Sequence, residues 1–155
     1  MWEAYQRYRA LDPGARRLFR DAVVLLLLIR GSLRSRGFKK TQQWLLARIQ
    51  VGKAAPSAER LSDLDCVVRV CRMVKAAGHY GFFRPTCLES SLALSYLLSR
   101  QGISSQLRIG VRKIDGKFEA HAWVEHRGEI LNESEVLHRH YAAFDGEFSD
   151  SSSES

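Results

Sequence analysis

Cys87 and His121 are the two residues whose types and surroundings suit covalent chemistry. Thr86-Cys87-Leu88-Glu89 has the pattern of a helix start, the threonine capping and the glutamate three positions on reaching back. A thiol at the first helical position lies near unpaired backbone N–H groups and the positive end of the helix dipole, which stabilise a thiolate. The same N–H groups can receive the oxyanion that forms when a thiolate attacks a carbonyl. His121 lies in Ala120-His121-Ala122-Trp123-Val124-Glu125, a strand-like run whose alanines leave room for another element to approach. A thiolate that attacks and an imidazole that protonates the leaving amine are the two halves of a cysteine nucleophile–base pair.

Such a pair needs an acceptor for the other imidazole nitrogen, to fix its tautomer and orientation. The turn at His126-Arg127-Gly128 decides between two neighbours. A three-residue loop with glycine left-handed pairs Glu125 with Glu129 and sets Glu133 opposite His121, whereas a two-residue loop puts Asn132 on the histidine's face. Glycine at the third loop position favours Glu133, with Asn132 as the alternative. Substrate is expected to meet the aromatic loop before the cysteine, through Tyr80, Phe82, Phe83 and Arg84, and Trp123 beside the histidine.

The other two cysteines, Cys66 and Cys71, lie five apart in an apolar helix, neither a zinc-knuckle nor a redox spacing, and are expected to be small buried hydrophobes. Cys87, His121, His138 and His140 supply no close ligand pair with metal-site spacing. No metal and no cofactor is expected.

The elements that must position this pair follow from punctuation and period. Asp12-Pro13 starts a helix that is expected to run to Arg30 and stop at Gly31. Its middle, Val23-Val24-Leu25-Leu26-Leu27-Leu28-Ile29, is apolar all round and is expected to be buried on more than one side. A second helix spans about Phe38 to Gln50, with Phe38, Leu45 and Ile49 on one stripe. After a linker at Gly52 to Ser57, a third helix runs through Leu64, Val67, Cys71 and Val74 and ends near Gly78. The fourth begins at Cys87 and stops at Gly102.

From Leu107 the apolar period changes from 3.6 to 2. Leu107, Ile109 and Val111 form one strand, Asp115-Gly116 turns it, and Lys117 to Glu125 returns. A third strand is expected over Glu129 to Glu133. Helices followed by an antiparallel β-meander make an α+β domain. The chain divides into a basic helical segment (1–55), a core carrying the cysteine and histidine (56–145) and a Ser/acidic tail (146–155) expected to be disordered.

Length and charge bound the rest. With 155 residues, 45% of them hydrophobic, the chain can bury an ordinary core. Its net charge of +7 is uneven, since residues 1–60 hold thirteen Lys/Arg against four Asp/Glu. That segment is expected to meet an anionic surface. No nucleic-acid recognition motif accompanies it, so nucleic acid is not an expected partner. The longest apolar run, Ala22 to Ile29, is far short of the roughly 20 residues needed to span a bilayer. Contact with a membrane face stays open but is not expected. Three cysteines and no secretory pattern after Met1 point to a reducing cytoplasm.

Cys87-Leu88-Glu89-Ser90-Ser91-Leu92-Ala93-Leu94, then Gly102-Ile103, Leu107-Arg108-Ile109-Gly110-Val111 and His121-Ala122-Trp123-Val124-Glu125 resemble the transglutaminase-like cysteine proteases, a papain-like core. More narrowly they are similar to the lasso peptide biosynthesis B2 leader peptidases. The resemblance extends over residues 10–145. It implies Cys87 as nucleophile, His121 as base and an acidic third residue, usually Asp, that falls on Glu133. It also implies a cysteine peptidase that cuts the leader from a ribosomal precursor peptide. A separate B1-type recognition protein would present the leader, and an asparagine-synthetase-like cyclase would act on the product. Acyl transfer to an amine, or a non-catalytic peptide-binding module on the same fold, are the alternatives.

Overall fold

Asp12 accepts a hydrogen bond from Ala15 N over 2.9 Å and so caps the first long helix. That bond, rather than the nearby Arg69 guanidinium, is the main cause holding the Asp12 carboxyl below the usual carboxylate range. A computed structural model describes residues 8–51, 63–114, 117–132 and 142–143. The helices are α1 (Pro13–Val51), α2 (Asp63–Tyr80) and α3 (Cys87–Arg100), and the strands β1 (Gln106–Ile114), β2 (Lys117–His126), β3 (Glu129–Ile130) and β4 (Ala142–Ala143). The protein is α+β, mostly helical with a small antiparallel sheet, as its sequence pattern predicts.

The first helix does not stop at Gly31. It continues to Gly37, where φ of 77° breaks it, and a second helical stretch leads on to Val51. A glycine inside a helix costs only about 1 kcal/mol relative to alanine, too little to end one whose apolar face is already packed. Gly37 takes a left-handed conformation that a side chain would resist. The bend is held by Thr41, fully buried, whose Oγ1 donates to Gly37 O over 2.8 Å and lies 2.9 Å from Ser32 Oγ.

One side of α1 packs inward through Ala15, Leu18, Ala22, Leu25, Leu26 and Ile29, joined past the bend by Leu45. Val67, Val70, Met73, Val74 and Ala77 of α2 and Leu92, Ala93, Leu94, Leu97 and Leu98 of α3 complete the same core. The expectation that the leucine run is buried on more than one side is not met. Val24, Leu27 and Leu28 are 54%, 43% and 49% exposed. Two helices pack on α1, and they cover one face of its cylinder.

α3 carries both of its expected end signals. Thr86 Oγ1 accepts from Glu89 N over 3.2 Å and Glu89 Oε2 accepts from Thr86 N over 2.7 Å, a reciprocal capping box. At the other end Ile103 N donates to Leu98 O and Gly102 N to Ser99 O, a Schellman closure around Gly102.

The sheet order is β3-β2-β1-β4. β1 and β2 pair from Gln106↔Glu125 to Ile114↔Lys117, leaving two residues at the tip. The expected turn residues there, Asp115 and Gly116, lie outside the described residues. β4 pairs with β1 through Gly110↔Ala143 and Val111↔Ala142, a strand the sequence pattern did not announce. Leu107, Val124 and Leu131 turn toward the helices and join the core.

The next turn corrects the favoured register. His126 pairs with Glu129 and Glu125 with Ile130, so the loop is the two residues Arg127 and Gly128. Both are left-handed, with φ of 51° and 84°. This is a type I′ geometry, whose twist matches that of the strands it joins. The third strand is also shorter than expected, ending at Ile130.

Candidate active site

The capping box fixes the first turn of α3, and Cys87 is its first residue, half-buried. β2 carries His121 directly opposite Gly110. Cys87 and His121 line one open cleft of about 1210 Å³, together with Ser90, Leu94, Leu131 and Asn132. The nucleophile–base pair expected from sequence is therefore brought to a common surface. The cysteine sits at the end of a helix where free backbone N–H groups gather, and His121 Nε2 is buried.

Of the expected substrate-contacting residues, Tyr80 and Arg84 line this cleft. Phe82, Phe83 and Trp123 are not among its lining residues. Phe82 is 90% exposed. Phe83 lies under the Arg30 guanidinium, which sits 4.2 Å from its ring centroid. Trp123 is 1% exposed and donates from Nε1 to Glu125 Oε1 over 2.8 Å. Glu125 Oε2 also accepts from Arg108 Nε over 3.3 Å. The Trp123 ring lies nearly parallel to His121, with centroids 6.2 Å apart.

Glu133, the favoured third member, lies outside the described residues, as do His138 and His140. Asn132 is described, and both ends of its amide are committed. Oδ1 accepts from Val124 N over 2.9 Å, and Nδ2 donates to Ser91 Oγ over 2.8 Å. Ser91, fully buried, donates in turn to Ala122 O over 3.0 Å. Leu131 N satisfies Val124 O. Beyond Ile130 the third strand gives way to this side chain. Asn132 supplies the ladder bond that Val124 would otherwise lack and hands the next acceptor, Ala122 O, to the cysteine helix.

Two contributors escaped sequence reasoning. Arg30 Nε lies 4.0 Å from Glu89 Oε1, so α1 reaches the capping carboxylate as well as Phe83. Ser91 looked like an ordinary helix residue. Only its position four residues after Cys87, one turn along the same face, hinted at its place.

The remaining cysteines match the expected packing role in part. Cys66 and Cys71 are half-buried and unoxidised. Cys71 also lines the cleft, and burial pushes its thiol up to about 11. Among the described residues no three His, Cys, Asp or Glu side chains are grouped to hold a metal ion. Among the same residues no helix is long and apolar enough to cross a membrane.

A half-buried thiol at a capped helix start and a strand histidine lining the same cleft are the two parts that thioester chemistry needs. No curated protein and no solved structure matches the chain. The family model for the transglutaminase-like superfamily matches residues 25–144, which span the bend of α1, all of α2 and α3 and the sheet. The chain belongs to the transglutaminase-like superfamily.

Proposed function

We propose that this protein is a cysteine peptidase that removes the leader from a ribosomally made lasso peptide precursor. The observation that carries the peptidase part is the shared cleft of Cys87 and His121. Support for the leader-peptide part comes from the runs Cys87 to Leu94, Leu107 to Val111 and His121 to Glu125, which resemble the B2 leader peptidases.

In this mechanism Cys87 Sγ, as thiolate, attacks the carbonyl of the cleaved bond. Backbone N–H groups of the first turn of α3 receive the negative oxygen. As the intermediate collapses, the C–N bond breaks and imidazolium His121 gives its proton to the departing amine. The imidazole then takes a proton from water, whose oxygen attacks the thioester and returns the thiol. The two-residue turn withdraws the register argument for Glu133, so Glu133 is proposed as the partner of the imidazole on the resemblance alone, with Asn132 as the alternative. A separate B1-type protein would present the leader, and an asparagine-synthetase-like cyclase would take the freed amine. The basic face of α1, at Arg34, Arg36, Lys39 and Lys40, is the proposed docking surface for one of these partners.

The test is cleavage of the precursor encoded beside this gene, with its recognition protein, followed by mass spectrometry. A single cut is expected, with Cys87→Ala inactive and His121→Ala slowed by about 10²–10⁴. Unchanged cleavage by Cys87→Ala would overturn the mechanism. Adding a primary amine to the same reaction separates the alternative chemistry. Amide product in place of acid would assign acyl transfer instead of hydrolysis.

A further inference from the structure

We infer that the cleft is built for an acidic peptide, one bearing Asp or Glu within about three residues of the carbonyl that Cys87 attacks. This rests on the cysteine-peptidase reading of Cys87 and adds the substrate class. Three exposed cations line the cleft, Arg72, Lys75 and Arg84, with His79 beside them, and among the described lining residues there is no Asp or Glu.

The arrangement is directional. Arg72, Lys75 and His79 lie three and four residues apart, so they share one face of α2. At 1.5 Å per residue they cover about 10 Å of helix, the length of roughly three residues of extended peptide at 3.3 Å each. The C-terminal end of this row is held beside the cysteine's loop. A Cβ added at Gly78 would come within 2.9 Å of Pro85 Cγ, so the end of α2 and the residues just before Cys87 are in direct contact. A chain lying along α2 thus passes from Arg72 to Lys75 to His79 as it nears the thiol.

Arg30–Glu89, Arg69–Asp12 and Arg108–Glu125 are ion pairs among the described residues, and none of these three involves Arg72, Lys75 or Arg84. The nearest acid on α2 at a described position N-terminal to the row, Asp65, is seven residues from Arg72, again about 10 Å along the axis. A cleft with cations of one sign and a low-dielectric wall focuses the field and draws in ligands of opposite charge, raising association by 10-fold or more. The positive end of α3 at Cys87 adds to that field.

The test uses the full-length protein and two probes. The first compares modification of Cys87 by an anionic and a cationic methanethiosulfonate, read at Cys87 by mass spectrometry. The anionic reagent is expected to react faster. The anionic-to-cationic rate ratio should fall about tenfold in Arg72→Glu/Lys75→Glu and stay at the wild-type value in Arg17→Glu/Arg20→Glu, two exposed cations that do not line the cleft. It should also shrink toward one at high salt. A ratio that Arg72→Glu/Lys75→Glu does not move overturns the inference.

The second probe is a series of peptidyl-coumarylamides with Glu, Gln or Lys at each of the three positions before the cleaved bond. Glu is expected to raise kcat/KM about tenfold over Gln at one or more positions, chiefly through KM. The gain should be lost in the double charge reversal. Equal rates for Glu and Gln at all three positions also overturn it. If no peptide releases coumarin while the reagent ratio still shifts, the peptidase reading fails and the anionic-ligand assignment stands.

Discussion

Asn132 Nδ2 donates to Ser91 Oγ over 2.8 Å, joining residues 41 positions apart. Through Ser91 to Ala122 O and through its own Oδ1 to Val124 N, it fastens the cysteine helix to the histidine strand. Cys87 lies one turn before Ser91, and His121 lies next to Ala122. The clamp therefore joins the element that carries Cys87 to the one that carries His121.

Ser91→Ala leaves the Ala122 carbonyl and Asn132 Nδ2 without the fully buried hydroxyl that joins them. The expected loss is about 1–3 kcal/mol, seen as a lower denaturant midpoint. Asn132→Ala should cost a similar amount, and the pair should couple by about 0.5–3 kcal/mol in a double-mutant cycle. Both changes should also slow alkylation of Cys87 relative to Cys71, because they loosen α3 against β2. Additive losses would show that the clamp does not act as a unit.

The helix start has its own signature. Thr86→Ala removes the cap on Glu89 N and should lower stability by about 1 kcal/mol. It should also reduce the rate at which iodoacetamide modifies Cys87 at neutral pH. Arg30→Met keeps an apolar stem against Phe83 but takes the cation away from Glu89. A fall in melting temperature with Cys87 still reactive is the expected result, measured by differential scanning fluorimetry and mass spectrometry.

Cys71 supplies a pH-dependent control in the same cleft. With its thiol pushed up to about 11 by burial, its thiolate fraction at pH 8 is on the order of one in a thousand, and reactivity follows the thiolate. Alkylation of Cys71 should therefore rise about tenfold per pH unit from pH 8 to 10. The linkage has a definite sign. The folded value lies above the unfolded one, so the unfolded chain releases this proton first. Stability is complete below about pH 9, the ordinary value for the thiol, and declines as pH climbs toward 11. Cys71→Ala should flatten that decline in a pH series of thermal melts.

The outer face of α1 is expected to tolerate charge. Leu28→Lys and Val24→Lys should each change stability by no more than about 0.5 kcal/mol. Leu25→Ala and Ile29→Ala, on the packed side, should each cost about 2–5 kcal/mol. Equal penalties on the two faces, in parallel urea titrations, would contradict the observed packing.

Much of the site was legible because its signals are local. Thr86 and Glu89 are three residues apart, and the capping box they announce forms as written. The change of period at Leu107 marked the hairpin, and Gly102 closed α3 as expected. The misjudged points are those where a local preference met a wider context. Gly31 looked like a stop, yet a helix already packed along Ala22, Leu26 and Ile29 runs through it. Gly128 looked like the end of a three-residue loop, yet Arg127 also accepts a left-handed conformation, and the tighter turn suits the twist of β2 and β3.

The sequence by itself determined where the helix that opens at Cys87 starts and which strand holds His121. Each of these is encoded within a few contiguous residues, by a cap or by an alternating pattern. Only the tertiary structure decided that Ser91 and Asn132 bind α3 to β2, that Arg30 reaches Glu89, and that Arg72 and Lys75 share the cleft with Cys87. Those relationships join residues up to 59 positions apart in the case of Arg30 and Glu89. Such contacts depend on how whole elements pack, and no local propensity fixes that.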